Sequence, residues 1–373
     1  MVSSNAAIFK PLKVGRMELS NRIAMAPLTR FRANERHEPQ DVHAEYYSQR
    51  GSTPGTLLIT EATFIDGRAG VYTGAPGLFT LEQVAGWKKV VDAVHARGSY
   101  LVLQLWALGR AADAGALRKE YDADVVSASD VPFEGGATPR PLTKAEIQDY
   151  IHYYARAAKL FIEEAGGDAV EIHGANGYLL DQFLQTNSNK RTDEYGGSVE
   201  NRARFPLEVV RAVTEAVGED RVGIRLSPYS KFQGMKMDTL EEIHETFSYV
   251  VDKIRTRHPN FAFIHAVESR IAGNTTIEAD KAESLDFLRN IWAPKPFFVA
   301  GGFDGEHGPE VAEQYENNVV VYGRHFISNP DLVERLRQNI PLTKYDRDTF
   351  YLIGPHETRG YTDYPFATEQ IKN

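Results

Sequence analysis

The sequence predicts a single (β/α)8 TIM barrel, and three observations carry that expectation. Eight short apolar runs recur along the chain, and amphipathic stretches of helical period separate them. The 373 residues, 42% of them hydrophobic, suffice for one large core with insertions. Strand-to-helix alternation is what a parallel sheet needs, because parallel neighbours are joined by a crossover. A doubly wound sheet is the runner-up.

Taken in order, the apolar runs are RIAMAPL (22–28), TLLITEA (56–62), YLVLQLW (100–106), DAVEIH (168–173), VGIRLSP (222–228), FAFIHAVES (261–269), PFFVAGG (296–302) and NVVVYGRH (318–325). They show little strict alternation, as expected of strands buried on both faces. Helical patterns cover 82–97, stopped by Gly98, and 143–165, where Thr143 and Glu146 have capping-box spacing. Further helices are expected over 200–217, 239–256, 281–291, 307–316 and 330–338, the last capped by Asn329 with Pro330 in its first turn. FKPLKVGRMELSNRI reads as a hairpin turning on Gly15 that covers the barrel floor. Residues 107–142 have no clear period and read as an extended loop after strand 3, over the active face. With no linker and no repeat beyond β/α, residues 1–373 form one domain.

The composition excludes several functions. There is no cysteine, hence no disulfide, thiol nucleophile or Cys-ligated cluster. Lys+Arg number 42 against 51 Asp+Glu, a net charge of −9, which disfavours nucleic acid or an anionic membrane as partner. The N-terminus lacks an apolar signal core and no later run is long enough to span a bilayer, so a cytoplasmic protein is expected.

In such a barrel the chemistry lies at the C-terminal strand ends. No lysine stands there for a Schiff base, and Glu171 has no partner carboxylate on strand 7 for glycoside hydrolysis. The carboxylates are scattered among amides, imidazoles and guanidinium groups, so no metal site is expected. VAGG (299–302) and YGR (322–324) end strands 7 and 8, the usual place of a barrel's phosphate cradle, with Arg324 as its cation. No G-x-G-x-x-G or Walker motif occurs. Arg225 ends a buried strand and needs an anion or polar acceptor; an internal salt bridge to Glu171 or Glu61 is the competing reading. Gln104, inside LVLQLW, suits the edge of a planar heterocycle or, equally, a backbone partner. In EIHGANGY, Gly174 and Gly177 let His173 and Asn176 converge as two neutral donors on one oxygen, with the Tyr178 phenol beside them as proton donor.

Together these residues resemble the old yellow enzyme family of FMN-dependent ene-reductases. The resemblance covers almost the whole chain: 8–33, IHGANGYLLDQFLQTNSNKRTDEYGGSVENRARF (172–205), RLSPY (225–229), AGG (300–302), YGRHFISNPDL (322–332), YDRDTFY (345–351) and GYTDYP (360–365). Thr29 resembles the branch with threonine rather than cysteine at that position. The resemblance implies FMN phosphate on Gly301, Gly302, Gly323 and Arg324 beside Ala300, and Arg225 near flavin N1. It implies Gln104 at the pyrimidine edge, Ala62 against the ring, and Pro27, Leu28 and Thr29 lining it. It further implies that NADPH reduces FMN by hydride transfer and that an α,β-unsaturated carbonyl compound then binds at the same place. There His173 and Asn176 would hold its oxygen and Tyr178 would protonate its α-carbon, while Trp106, Phe350 and Tyr351 shape the pocket. A monomer or homodimer is expected. Two alternatives are a reductase or isomerase of a specialised biosynthetic pathway, the latter having less need of Tyr178, and an inactive nucleotide-binding barrel. The 271–281 loop, with 107–142 and the C-terminal segment, is expected to set the substrate.

Overall fold

A computed structural model of the chain describes all residues except 1, 4, 274, 279, 281 and 371–373. Its centre is a closed ring of parallel strands: β1 (Ile23–Met25), β2 (Leu57–Ile59), β3 (Tyr100–Trp106), β4 (Ala169–Gly174), β5 (Val222–Leu226), β6 (Phe263–Val267), β7 (Phe297–Ala300) and β8 (Asn318–Tyr322). Each pairs with its successor, and β8 closes on β1 with Val320 opposite Ile23. The short strand Thr63–Phe64 adds onto the end of β3. This is the (β/α)8 barrel, not a doubly wound sheet.

Alternate residues of these strands face opposite ways. Ala24, Leu57, Ile59, Val102, Ala169, Phe263, Phe298 and Val319 pack inside the barrel with Val14, Met17 and Leu19 of the hairpin. That hairpin, Leu12–Val14 against Met17–Leu19, turns on Gly15 at φ 55° and plugs the barrel's lower end. A Cβ at Gly15 would sit 2.0 Å from the Asp220 carbonyl oxygen, just ahead of β5, so the close approach requires glycine. Ile23, Leu58, Leu101, Leu103, Val170, Ile172 and Ile224 face the other way, into the layer shared with the helices. Burial on both faces explains why the runs read as continuous apolar stretches.

Each strand leads to a helix of the outer layer: α1 (Asp41–Arg50), α2 (Leu81–His95), α3 (Lys144–Lys159), α4 (Val199–Val217), α5 (Leu240–Arg257), α6 (Asp286–Trp292), α7 (His307–Gln314) and α8 (Leu332–Gln338); Leu179–Leu184 and Arg324–Ser328 add short helices after β4 and β8. The Thr143–Glu146 capping box is present, and Thr80–Gln83 forms a second. Helix α1 has no signal in the sequence, because its buried face is His43, Tyr46, Tyr47 and Arg50 instead of an aliphatic stripe. Helix α8 starts two residues later than its sequence pattern, and Asn329 does not cap it; its amide donates to the carbonyls of His325 (2.8 Å) and Thr343 (3.0 Å). Helix α6 begins at Asp286, and Lys281, the expected start, lies outside the described residues. The 107–142 stretch is not one loop: it contains the helix Ala114–Tyr121 and paired strands Val126–Ser127 and Arg140–Pro141. Among the described residues no helix is long and apolar enough to cross a membrane.

Candidate active site

The C-terminal strand ends open into a cavity of about 530 Å³. Every site residue expected from the sequence lines it: Pro27, Leu28, Thr29, Ala62, Gln104, Trp106, His173, Asn176, Tyr178, Arg225, Ala300, Gly301, Gly302, Gly323, Arg324, Phe350 and Tyr351. The fold thus brings residues from both ends of the chain to one place. The expected 271–281 loop contributes Ile271 and Gly273, while its residues 274, 279 and 281 lie outside the described residues.

Strand register builds the cavity's polar base. Gln104 on β3 stands opposite Glu171 on β4, and Arg225 on β5 stands between His173 on β4 and His265 on β6. The fully buried Glu171 carboxylate accepts from Gln104 Nε2 (2.7 Å) and pairs with His265 Nδ1 (2.7 Å). Arg225 therefore makes no salt bridge to Glu171, and Glu61 is engaged elsewhere, accepting from the Arg30 backbone N–H at 3.2 Å. Gln104 is anchored by a side chain, not by backbone as its competing reading had it. Arg225 Nε is buried without a hydrogen-bond partner. Burial lowers the pKa of this guanidinium and the Glu171 charge opposes that shift, so the site holds a cation awaiting an acceptor.

The loop after β4 presents the second group. The Ala175 N–H donates to His173 Nδ1 at 3.3 Å, which leaves the ring proton on Nε2. Burial, reinforced by the positive charge of Arg225, drives the His173 pKa well below its usual value, so the imidazole is neutral and Nε2–H is a donor. Asn176 adopts φ 56°, a left-handed conformation that asparagine tolerates. Its N–H donates to Ser227 Oγ (2.7 Å) and its carbonyl accepts from Gln233 (3.1 Å), which pins the backbone. Its side-chain amide makes no hydrogen bond among the described residues. The Tyr178 ring meets His173 edge-on at 4.9 Å and Trp106 at 5.0 Å. Burial raises the phenol pKa far above its usual value, so Tyr178 keeps its proton.

At the other end, Arg324 donates to Thr276 Oγ1 at 2.7 Å and lies over the Tyr345 ring. Gly302 has φ 66°, and a Cβ there would fall 2.8 Å from Arg324 Nη2; a side chain would intrude on the cradle. The mouth is aromatic. Phe31, Tyr72 and Phe232 line it beside Phe350 and Tyr351, and sequence reasoning missed these three because they lie beyond the strand ends that it inspected.

Buried arginines hold the C-terminal segment in place. Arg30 donates to the carbonyls of Gly360 (2.7 Å) and Phe350 (3.0 Å), and Arg32 to those of Arg359 (3.0 Å) and Phe350 (3.2 Å). Glu61 supports this arrangement from below, and desolvation pushes its carboxyl up to about 7 despite the Arg30 N–H. The folded state thus binds this proton more tightly than the unfolded chain does. The stability that the proton confers is full below about pH 4.5 and is lost as pH rises through about 7. Glu61→Gln is expected to flatten the fall of Tm over that window; equal slopes in the two proteins would contradict the assignment.

The residues fit FMN. The orphaned Arg225 Nε beside Gln104 and Ala62 offers a cation to an electron-rich heterocycle, and the Gly302–Arg324 cradle excludes side chains where a phosphate needs backbone and guanidinium. The chain matches the NADH:flavin oxidoreductase / NADH oxidase family over residues 7–343. It is 51% identical over 367 residues to the chanoclavine-I aldehyde reductase of Penicillium roqueforti, covering 97% of each chain. It is 46% identical over 376 residues to a probable inactive reductase of Epichloe festucae var. lolii, covering 99% of this chain and 97% of that one. The crystal structure of Old Yellow Enzyme from Pichia sp. AKU4542 superposes with a TM-score of 0.90 at 39% identity, covering 98% of this chain and 95% of that one. A closed parallel barrel with this cavity, matched over nearly its full length by such relatives, makes the chain a member of the old yellow enzyme family of FMN oxidoreductases.

Proposed function

We propose that the protein is an ene-reductase that uses NADPH to reduce the C=C bond of α,β-unsaturated aldehydes and ketones, in two half-reactions at one site. The observation that carries this reading is the convergence of neutral His173, the unpartnered Asn176 amide and protonated Tyr178 in one cavity. When bound, FMN would supply the hydride-transfer chemistry between NADPH and the substrate's β-carbon. His173 Nε2–H and the Asn176 amide hold the carbonyl oxygen, and drawing electron density to it makes the β-carbon electrophilic. Tyr178 gives its proton to the α-carbon. Arg225 would balance negative charge on the ring at the cavity base, Gln104 and Ala62 would orient it, and Pro27, Leu28 and Thr29 would line it. Gly301, Gly302, Gly323 and Arg324 would hold its phosphate.

The aldehyde reductase among the relatives supports a carbonyl-bearing substrate. Another relative carries the description of a probable inactive reductase, so activity has to be argued from this chain's own residues. The presence of Tyr178 supports net reduction over isomerisation. The visible spectrum of the purified protein, followed by titration with a para-substituted phenol, tests the reading. A flavin spectrum that gains a long-wavelength band is expected, from a phenolate anchored by His173 and Asn176. A colourless protein that takes up no added FMN would overturn it. Anaerobic mixing should then bleach the flavin faster with NADPH than with NADH.

A further inference from the structure

Five rings in a row line the cavity from its mouth to the reacting end: Tyr351, Phe31, Tyr72, Trp106 and Tyr178. Successive centroids lie 5.6, 6.4, 5.6 and 5.0 Å apart. Tyr351 is 49% exposed, so the row begins in solvent and ends at the phenol. Phe31 joins its two halves, and its backbone is held at φ 62°, where a bulky residue is disfavoured. Several contacts enforce that conformation. The Gly354 N–H donates to the Phe31 carbonyl (3.1 Å), the preceding Arg30 N–H donates to buried Glu61, and the N–H of Ala33, two residues on, donates to the Gly74 carbonyl. Gly74 itself passes so close that a Cβ there would fall 2.6 Å from the Phe31 oxygen. None of these contacts uses the phenyl ring. Asparagine or glycine would adopt the same backbone more readily. The ring lines the cavity and packs against the apolar cluster that includes Ala62, Phe64 and Trp106. Strain of this kind, over-determined by its surroundings, points to a role in binding.

Resting on the ene-reductase reading, we propose that Phe31 is a specificity-determining residue. Between Tyr72 and Tyr351 it stacks against a flat aromatic group conjugated to the reacting double bond, so the site favours β-aryl over β-alkyl unsaturated aldehydes. The row supplies edge and face contacts that an alkyl chain cannot match.

The test uses the FMN-loaded protein, with cinnamaldehyde and trans-2-hexenal as probes. Wild type, Phe31→Leu and Phe31→Asn are compared in two ways: dissociation constants from quenching of intrinsic tryptophan fluorescence, and kcat/KM with NADPH. The aryl-to-alkyl preference is expected in the wild type and should fall by about tenfold in both variants, as for loss of a few apolar contacts in a pocket. Phe31→Asn relaxes the left-handed backbone but gives up the ring's packing on the cluster that includes Ala62, Phe64 and Trp106, so the melting of both FMN-loaded variants is recorded to separate the ring's role in binding from its role in the fold. An aryl preference in binding that depends on Phe31, without turnover of either probe, would uphold this inference while overturning the ene-reductase reading. Turnover of both probes with an unchanged preference in the variants would overturn the inference and leave that reading standing.

Discussion

Tyr178→Phe is expected to slow reduction of an unsaturated aldehyde by about 10²- to 10⁴-fold, the range for loss of a positioned proton donor. The change removes one hydroxyl and leaves the edge-on contacts with His173 and Trp106, which the phenylalanine ring retains. Carbonyl binding should therefore change little, since it falls to His173 Nε2–H and the Asn176 amide. The loss should appear in kcat, with KM nearly constant, as for an interaction made in the transition state. Bleaching of the flavin by NADPH needs no proton from Tyr178 and should slow far less. Stopped-flow measurement of the two half-reactions separates these effects. Equal slowing of both would mean that Tyr178 shapes the cavity and does not deliver the proton. Because burial raises its pKa so strongly, the wild-type rate should show no loss from Tyr178 ionisation anywhere below its ordinary pKa of 10.

Much of this site is legible in the sequence because a barrel sends one class of residue to one place. Arg225 in VGIRLSP and Gln104 in LVLQLW stand out as polar groups in apolar runs, and the register then sets them at the cavity base. What they bond is not legible. Gln104 and His265 both take Glu171, a choice fixed by how adjacent strands are staggered around the ring and not by anything local. Helix α1 is hidden for a related reason: its buried face is polar and aromatic, satisfied by distant partners such as the carbonyls of Phe326 and Tyr361 on Arg50. Phe31 stands next to Arg30 in PLTRFRA with no periodic signal, and its importance lies in a backbone angle that contacts 43 and 323 residues away impose (74 − 31; 354 − 31).

Arg225→Met provides the sharpest test of the cofactor end, because its two expected effects have opposite signs. Without FMN the half-buried guanidinium has an Nε with no acceptor, and Glu171 already bonds Gln104 and His265. A side chain of similar length and no charge removes that penalty, so the apo variant should be at least as stable as the apo wild type. Arg225 and Glu171 attract each other but share no hydrogen bond, and Glu171 keeps its bonds to Gln104 and His265 in the variant. With FMN the sign reverses. A hydrogen bond to a charged group contributes about 1.5–3 kcal/mol, so affinity for FMN should weaken roughly ten- to a hundredfold. The flavin's reduction potential should also fall, since the cation that favours the reduced ring's negative charge is gone. Thermal unfolding of the apo forms, FMN titration by fluorescence quenching and a potentiometric titration give the three readings. An apo variant that melts many degrees below the wild type would show that Arg225 serves the barrel itself. Unchanged FMN affinity would place the ring away from Arg225 and remove the physical basis for assigning it to the cofactor.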